Sequence, residues 1–296
     1  MSKFSMAPVH APYPAAHEWL RGIVTDDSVD VAYSPVITEQ SFEPGDQELR
    51  EVWPEGAQLC WFGGPAAAPL ERWPRNGNGE PLAHVIALDL AMVDGTAHPV
   101  DKASWPGRRE GLPKAGVLEV FHDLQSFGFE AQDKADRCWV VRWVPEPDRS
   151  VLVDAPTDLD TPTEVCQVAL TLNGFTIPGG HNFVGSGRRL FDQVEKAGSD
   201  LQRTWMYQRQ IGDAVEPLPY SHVYGHPHRN QAVAVEVLEQ VLPLEADDQY
   251  RLILGIESWT LLAGWFGDAG NLEVWMRQSD LDAQRFDEAW CLIRTD

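Results

Sequence analysis

The chain has 296 residues, of which 43% are hydrophobic, enough to bury the core of one large domain or of two joined halves. Its 23 Lys and Arg against 45 Asp and Glu give a formal net charge of -22. Such a charge repels phosphate backbones and anionic lipid, so we expect neither a nucleic acid nor a membrane as partner. A basic protein partner fits this charge, and simple solubility is the other explanation.

The cysteines and the N-terminal residues indicate in which cellular compartment the protein is expected. Four cysteines are scattered without C-x-x-C spacing, which argues against a metal finger or a disulfide framework: Cys60, Cys138, Cys166 and Cys291. The first residues lack the apolar core of a signal peptide, and no apolar run approaches the roughly 18 residues that cross a bilayer. We therefore expect a reduced, cytoplasmic protein.

Residues 1–54 are predicted to be an N-terminal extension packed on a main domain of residues 55–296. Within the extension, His17–Arg21 fits a short helix and Val29–Ile37 alternates like a strand. Pro44 and Gly45 then interrupt regular structure.

The main domain begins with a half of about residues 55–154, in which Pro-rich connectors separate short β-branched and aromatic runs. The clearest predicted strands are Ala83–Leu90, Gly116–Phe121 and Cys138–Val144. Residues of about 155–220 are predicted to be an insertion. It contains a strand at Val165–Leu172, a Gly-rich segment that suits either an anion or an ordinary flexible loop, and a helix at Arg188–Lys196.

The second half, about residues 221–296, holds the most regular pattern in the chain. An apolar strand at Leu252–Trp259 is followed by a turn of Trp, Gly and Asp and by a second strand at Leu272–Met276. An amphipathic helix over Asp280–Trp290 is predicted to close the domain.

Three short segments recur in the same order in both halves, which favours an internal duplication over chance. The matched pairs are Phe62–Pro65 with Tyr224–Pro227, Leu88-Asp89 with Ile256-Glu257, and Ala115–Phe121 with Ala269–Trp275. We therefore predict an α+β fold that is predominantly antiparallel β, with two related β-rich halves and a few short helices. Two such halves would meet at a pseudo-twofold axis and leave a cleft suited to a ligand or partner.

The histidines His222, His226 and His228 are spaced H-x-x-x-H-x-H beside Gly225. Imidazoles at this spacing can converge on zinc, with Asp268 as a fourth ligand. A solvated loop is the alternative, and it is the one we expect, because Pro227 suits an irregular turn. No metal site is therefore predicted.

Three carboxylates are candidates for acid–base chemistry or for ligand binding: Asp89, Glu257 and Asp268. Asp89 and Glu257 are equivalent in the repeat and could face one another near the axis, which would raise the pKa of one of them. The alternative is that each caps a turn or accepts backbone N–H groups.

The twelve tryptophans allow two interpretations. Exposed indoles could anchor a protein or stack on sugars, and Trp259 and Trp265 are the candidates for such anchors. Alternatively, the rings fill a broad β core, as their large area favours.

Common catalytic and nucleotide-binding motifs are absent. Gly185-Ser186-Gly187 is not a G-x-S-x-G nucleophile elbow, and neither a phosphate loop nor G-x-G-x-x-G follows a strand. No catalytic residue and no cofactor is assigned.

From about Leu59 to Ile293 the chain resembles the YwqG-like family, a bacterial domain of unknown function. The resemblance is carried by these segments: Gly63–Pro65, Arg72–Pro74, Gly79–Leu82, Leu88–Leu90, Leu112-Pro113, Gly116–Leu118, Gly225–Pro227, Gln231, Gly267–Gly270, Asp280-Leu281, Phe286-Asp287 and Trp290. It implies a β-rich α+β fold, a bacterial origin and no assigned activity. The chain departs from the family pattern at five positions. Gln is expected where the chain has Ala87 and Gly255, and Asp is expected where it has Glu257 and Trp259. The fifth departure is Phe266, which stands directly before Gly267.

These observations leave three hypotheses. The first is a non-enzymatic protein-binding module, by analogy an immunity or antitoxin-type partner of a basic effector. The second is a hydrolase or metal-assisted enzyme in the cleft between the halves. The third is a carbohydrate or small-ligand binder. Trp259, Trp265, Asp268, His222, His226, Asp89 and Glu257 are the candidate ligand- or partner-binding residues.

Overall fold

The computed structural model describes residues 4–5, 13–39, 46–96, 111–160, 166–204, 207–211, 214–218, 220–258, 262, 264–267 and 270–295. Two of the residues predicted to bind a ligand or partner, Trp259 and Asp268, lie outside these ranges. None of the helices within the described residues is long and apolar enough to pass through a bilayer.

The strands are short and numerous. In chain order they are β1 (Phe4–Ser5), β2 (Ala32–Tyr33), β3 (Val36–Glu39), β4 (Cys60–Gly63), β5 (Ala66–Ala68), β6 (Ala83–Asp89), β7 (Val117–His122), β8 (Trp139–Val144), β9 (Asp148–Val153), β10 (Cys166–Leu172), β11 (Phe175–Thr176), β12 (Tyr207–Ile211), β13 (Ala214–Leu218), β14 (Ser221–Val223), β15 (Tyr250–Glu257), β16 (Asn271–Arg277) and β17 (Trp290–Arg294).

Helices and 3₁₀ turns connect these strands. The helices are α1 (Tyr13–Arg21), α2 (Gln47–Val52), α3 (Leu90–Thr96), α4 (Ala131–Ala135), α5 (Arg188–Thr204), α6 (Gln231–Val241) and α7 (Gln278–Asp282). The 3₁₀ turns are Gly180–Ser186 and Phe286–Glu288.

Ten strands form one antiparallel sheet in the order β17-β16-β15-β14-β3-β10-β4-β6-β7-β8. All seven residues of β6 and all six of β7 are buried, since both faces of the sheet are covered. Strands buried on both faces read as continuous apolar runs, which is how β6 was recognised in the sequence. The predicted class, mostly antiparallel sheet with several helices, is confirmed at this level.

The sheet is nearly closed, because its two end strands, β8 and β17, approach each other. The Trp139 indole Nε1 donates to the carbonyl of Ala289 at 3.2 Å, and the Trp139 and Trp290 rings meet edge to face at 5.0 Å. We call this junction of β8 and β17 the seam. The two ends of the sheet are thereby covered by side chains and by a loop, which protects them from pairing with other chains.

The division of the chain predicted from the sequence does not coincide with the sheet. β3 belongs to the predicted N-terminal extension, yet it pairs with both β14 and β10 near the centre of the sheet. β10 belongs to the predicted insertion and pairs with β3 and β4. Together β3 and β10 join the two outer groups of strands where a cleft was expected.

The insertion and the N-terminal segment also share a second core. Leu20 of α1 and Val194 and Ala197 of α5 are all buried in this core, and the Trp19 indole of α1 donates to Asp200 of α5 at 2.8 Å. The predicted end of this helix at Lys196 is wrong, because Ala197 is buried in the second core and the helix continues to Thr204.

The predicted helix over Asp280–Trp290 is also wrong. α7 ends after Asp282, Gln284 takes a left-handed backbone conformation with φ of 58°, and Trp290 begins β17. A non-Gly residue with positive φ cannot continue a right-handed helix. The apolar spacing that suggested a helix instead directs Phe286 into the core as part of a 3₁₀ turn.

Candidate functional site

Two phenylalanines on the loop between β7 and α4 are exposed although the surrounding sheet is buried. Phe127 is 45% exposed and Phe129 is 47% exposed, and their ring centroids lie 5.9 Å apart. We call these two residues the seam aromatic pair. Large apolar side chains exposed together are unusual on a soluble protein surface and typically mark an interaction site.

The backbone that carries this pair is fixed to β17. Ile293 N donates to the Phe127 carbonyl at 3.0 Å, and the Trp290 indole donates to the Gly128 carbonyl at 2.7 Å. Gly128 N in turn donates to the Asp133 carboxylate at 3.0 Å. The two rings are therefore presented by an ordered loop, which lowers the entropy lost when a partner binds.

Gly128 makes this arrangement possible. Its φ is 79°, and a Cβ atom there would lie 1.9 Å from the carbonyl oxygen of Cys291. Only glycine tolerates both the left-handed backbone and such close approach of β17.

The segment around the pair is acidic. Residues 123–137 contain four carboxylates against two cationic groups: Asp123, Glu130, Asp133 and Asp136 against Lys134 and Arg137. Glu130 and Asp136 are exposed. Asp123 accepts the N–H groups of Gln125 and Ser126, both at 3.0 Å, and so shapes the turn before the rings. The pair thus lies on a locally negative surface, in keeping with the net charge of -22.

Sequence reasoning missed this pair. The signal was present as a Phe-Gly-Phe triplet within a stretch of acidic and turn-forming residues, but nothing in the sequence states that Phe127 and Phe129 are exposed. Their exposure follows from the contact between Gly128 and β17, which only the fold creates.

The solvated loop that the sequence suggested is present for two of the three candidate histidines. His226 and His228 lie on the loop after β14, where His228 is exposed. His222 instead lies in β14 and is fully buried, and its ring meets that of His228 edge to face at 4.9 Å. His222 Nδ1 donates to the Tyr224 carbonyl at 2.6 Å, while its buried Nε2 has no hydrogen-bond partner. The loop prediction was wrong for His222 alone, because the three-residue strand β14 is too short to register in the sequence pattern beside Gly225 and Pro227.

These imidazoles are held neutral. Burial lowers the pKa of His222 to about 3, with a further contribution from His228, and burial lowers the pKa of His226 to about 4. His222 Nε2 points at Gly255, where a Cβ atom would lie 2.7 Å away, so the ring needs glycine at that position. Among the residues that the structure describes, no group of three or more His, Cys, Asp or Glu is placed to hold a metal ion.

The candidate carboxylates Asp89 and Glu257 lie on strands that are not neighbours. Between β6 and β15 the sheet contains β4, β10, β3 and β14. Asp89 accepts the Ala91 N–H at 2.9 Å at the start of α3 and the Arg149 guanidinium at 2.7 Å.

Trp265, one of the two proposed anchors, is only 9% exposed and belongs to the main core. Trp53, Trp61 and Trp275 are fully buried. For these four rings the core interpretation holds, because burying such large apolar areas stabilises the sheet.

The sequence analysis also did not single out two glutamates that are buried and paired with arginines. Glu119 in the middle of β7 accepts from the Arg142 Nε at 2.7 Å, and Glu273 in the middle of β16 lies 3.4 Å from Arg294 Nη1. A glutamate inside an apolar strand was a readable signal, since a buried carboxylate requires a partner.

A family model described as a domain of unknown function, DUF1963, matches residues 61–294. The chain belongs to the DUF1963 family. The matched DUF1963 span begins in β4 and ends with β17, so it contains the seam aromatic pair but not β3. No curated protein matches the chain.

Proposed function

We propose that this protein is a non-enzymatic module that binds another protein through the seam aromatic pair. The observation that carries the proposal is the rigid display of two half-exposed phenylalanines, Phe127 and Phe129, on a loop fixed to β17. Aromatic residues dominate the energetic centres of protein interfaces, and a preorganised loop loses little entropy on binding.

The partner is expected to be basic. The acidic segment around the pair and the net charge of -22 attract a positively charged protein and repel nucleic acid. A basic effector neutralised by this chain, in the manner of an immunity protein, is the biological setting that we propose.

The decisive experiment compares partner capture by three proteins. The variant Phe127→Ser/Phe129→Ser removes both rings, and Val151→Ser is the matched control because Val151 is 45% exposed on β9. Partners captured from a lysate of the source cells by the wild-type protein are identified, and their Kd values are measured with each variant.

We expect the double variant to bind such a partner at least about tenfold more weakly, as the loss of a single interface hot spot does. The control should bind as the wild-type protein does, and all three should keep the same melting temperature. Equal Kd values for the wild-type protein and the double variant would refute the proposal.

We also propose that the outer strands are two copies of one meander, β4-β6-β7-β8 and β14-β15-β16-β17. Two features support this: the strands pair in the same order, and in each group a buried glutamate of the third strand contacts an arginine of the fourth. An experimental structure in which the best superposition of the two groups does not place Glu119 on Glu273 would contradict it.

We further propose that the YwqG-like resemblance and the DUF1963 match describe the same domain. The resemblance covers about residues 59–293 and the match covers residues 61–294, so their spans almost coincide.

We also propose that the protein works in the reducing cytoplasm, because its four cysteines are free and buried: Cys60, Cys138, Cys166 and Cys291. Detection of the protein in an extracellular or periplasmic fraction of source cells would contradict the cytoplasmic location.

A further inference from the structure

The faces of the seam aromatic pair are suited to a cation. The planes of the Phe127 and Phe129 rings are tilted by 39° with their centroids 5.9 Å apart, so no side chain fits between them and a ligand must contact the parts of the rings that are open to solvent. A phenylalanine face carries partial negative charge and attracts a cation within about 6 Å of the centroid.

We propose that the pair binds the guanidinium group of an arginine on the partner protein. This rests on the function proposed above and adds the chemistry of the residue that is recognised. Arginine is favoured over lysine because its planar, weakly hydrated group stacks on aromatic rings at a site open to water, whereas an ammonium group holds its hydration shell.

Elsewhere in this chain, arginine side chains are held by an aromatic ring together with a carboxylate. The Arg149 guanidinium lies 4.0 Å from the centroid of the Trp53 ring and donates to Asp89 at 2.7 Å. The Arg142 guanidinium lies 5.9 Å from the centroid of Phe121 and donates to Glu119. At the seam the rings and the carboxylates are present on the surface, and the cation is the component that a partner would bring.

The nearest basic residue along the chain is already engaged. Lys134 Nζ lies 3.3 Å from Glu288 and 5.9 Å from the centroid of the Trp290 ring. It therefore pairs with Glu288, while Glu130, the residue after Phe129, is exposed and Asp133 accepts the Gly128 N–H. With Arg137 included, residues 123–137 still hold two more carboxylates than cations, a charge that complements an incoming arginine.

The test uses short synthetic peptides as probes. Three peptides share one sequence and differ only at the central residue, which is arginine, lysine or the neutral arginine isostere citrulline. Their Kd values are measured by NMR titration of the backbone amide resonances of the loop in the wild-type protein and in Phe127→Leu/Phe129→Leu, which keeps the apolar area but removes the rings. In the wild-type protein the ring resonances of both phenylalanines are followed as well.

We expect the arginine peptide to shift the resonances of both rings and to bind about two- to fivefold more tightly than the citrulline peptide, as an exposed cation–π contact allows. The Leu/Leu variant should lose this difference. Equal Kd values for arginine and citrulline, tighter binding of lysine, a preference retained in the Leu/Leu variant, or no ring shift at millimolar peptide would each overturn the inference.

The two proposals fail separately. A protein partner that binds the Leu/Leu variant as well as the wild-type protein, but not the Ser/Ser variant, would leave the protein-binding function standing and refute the arginine contact. A partner that binds the Ser/Ser variant normally would refute both.

Discussion

The buried charges of the sheet are compensated residue by residue. Burial by itself raises the pKa of Glu119, but its contacts with His84, Arg142 and the Ala67 N–H outweigh this and hold the pKa below its usual value. Ala67 N donates to Glu119 at 2.7 Å, so this carboxylate also fixes β5 against the sheet. Such groups stabilise the fold only while every partner is present.

Glu273→Ala should therefore be strongly destabilising. Glu273 accepts the Trp275 indole at 2.9 Å and pairs with the buried Arg294, so its removal leaves a buried guanidinium without its carboxylate. We expect a loss of about 3–5 kcal/mol in the free energy of unfolding, measured with urea. The exposed Glu236→Ala in α6 is the control and should change it by less than about 0.5 kcal/mol. Similar losses in both variants would contradict this account.

His222 should make the fold sensitive to mild acid. The unfolded chain protonates this histidine near its ordinary pKa of 6.5, whereas the buried ring resists protonation until pH is about 3. Between these values the unfolded state binds more protons, so stability falls as the pH falls below about 6.5, by up to about 1.4 kcal/mol per pH unit for one histidine.

The measurement is the free energy of unfolding between pH 7 and pH 5. His222→Gln removes one titrating group and should lower the slope by the contribution of one histidine, leaving the slopes that His122, His226 and His228 contribute, because burial also lowers their pKa values. His181→Gln, at an exposed position, is the control and should keep the wild-type slope. An unchanged slope in His222→Gln would show that this ring is not responsible.

At the scale of elements, the loop between β7 and α4 depends on β17. Gly128→Ala would place a Cβ atom 1.9 Å from the Cys291 carbonyl at a φ of 79°, forcing the loop away from the strand. Gly56 also has a positive φ, 90°, but a Cβ atom there meets no described atom within 4 Å. The pair of variants separates backbone strain from steric contact.

We expect Gly56→Ala to lower the free energy of unfolding by about 1 kcal/mol and Gly128→Ala by at least about 2 kcal/mol. Gly128→Ala should also change the fluorescence of Trp290, because the Trp290 indole donates to the Gly128 carbonyl. Equal losses in the two variants would mean that the loop moves off β17 without cost.

At the scale of the whole molecule, the sheet depends on β3, which lies near its centre. The matched family span, 61–294, omits β3, and without it β10 and β14 would each lose a neighbour in the middle of the sheet. Exposed central edges leave backbone groups unpaired and invite aggregation. The matched span alone should therefore be unable to fold cooperatively.

A fragment of residues 61–294 should show no cooperative unfolding transition in urea, whereas the full chain should show one that coincides when followed by fluorescence and by circular dichroism. A fragment of residues 13–296, which restores β3, is the control and should behave as the full chain does. Cooperative unfolding of the 61–294 fragment would mean that another segment can replace β3.

The net charge predicts that the association rate of the proposed basic partner depends on salt. Attraction between a chain of charge -22 and a basic protein acts over a Debye length of about 8 Å at physiological ionic strength, so added salt should slow association. Dissociation, which depends on the aromatic contacts, should change much less. Stopped-flow rates at two salt concentrations test this, and an association rate that ignores salt would exclude electrostatic steering.

The local composition of the sequence predicted individual strands well. β6, β7, β8 and β16 were found because each is a short apolar run with β-branched or aromatic residues between turn signals. The helix predicted over Asp280–Trp290 failed because one left-handed residue, Gln284, interrupts it, and periodicity does not register a single backbone angle. Of the candidate site, the sequence identified residues that proved buried, such as Trp265 and His222, because composition does not separate a core ring from an anchor.

By itself, the sequence determined the class of the fold and the sign of its charge, since strand composition is local and net charge is a sum over residues. Only the tertiary structure decided that β3 and β10 join the two meanders, because the neighbours of a strand depend on hydrogen bonds between segments more than a hundred residues apart, such as β3 with β10 and β14. It also decided that Phe127 and Phe129 are exposed, because their loop is fixed to β17 through Gly128 and Trp290, a contact that spans about half of the chain.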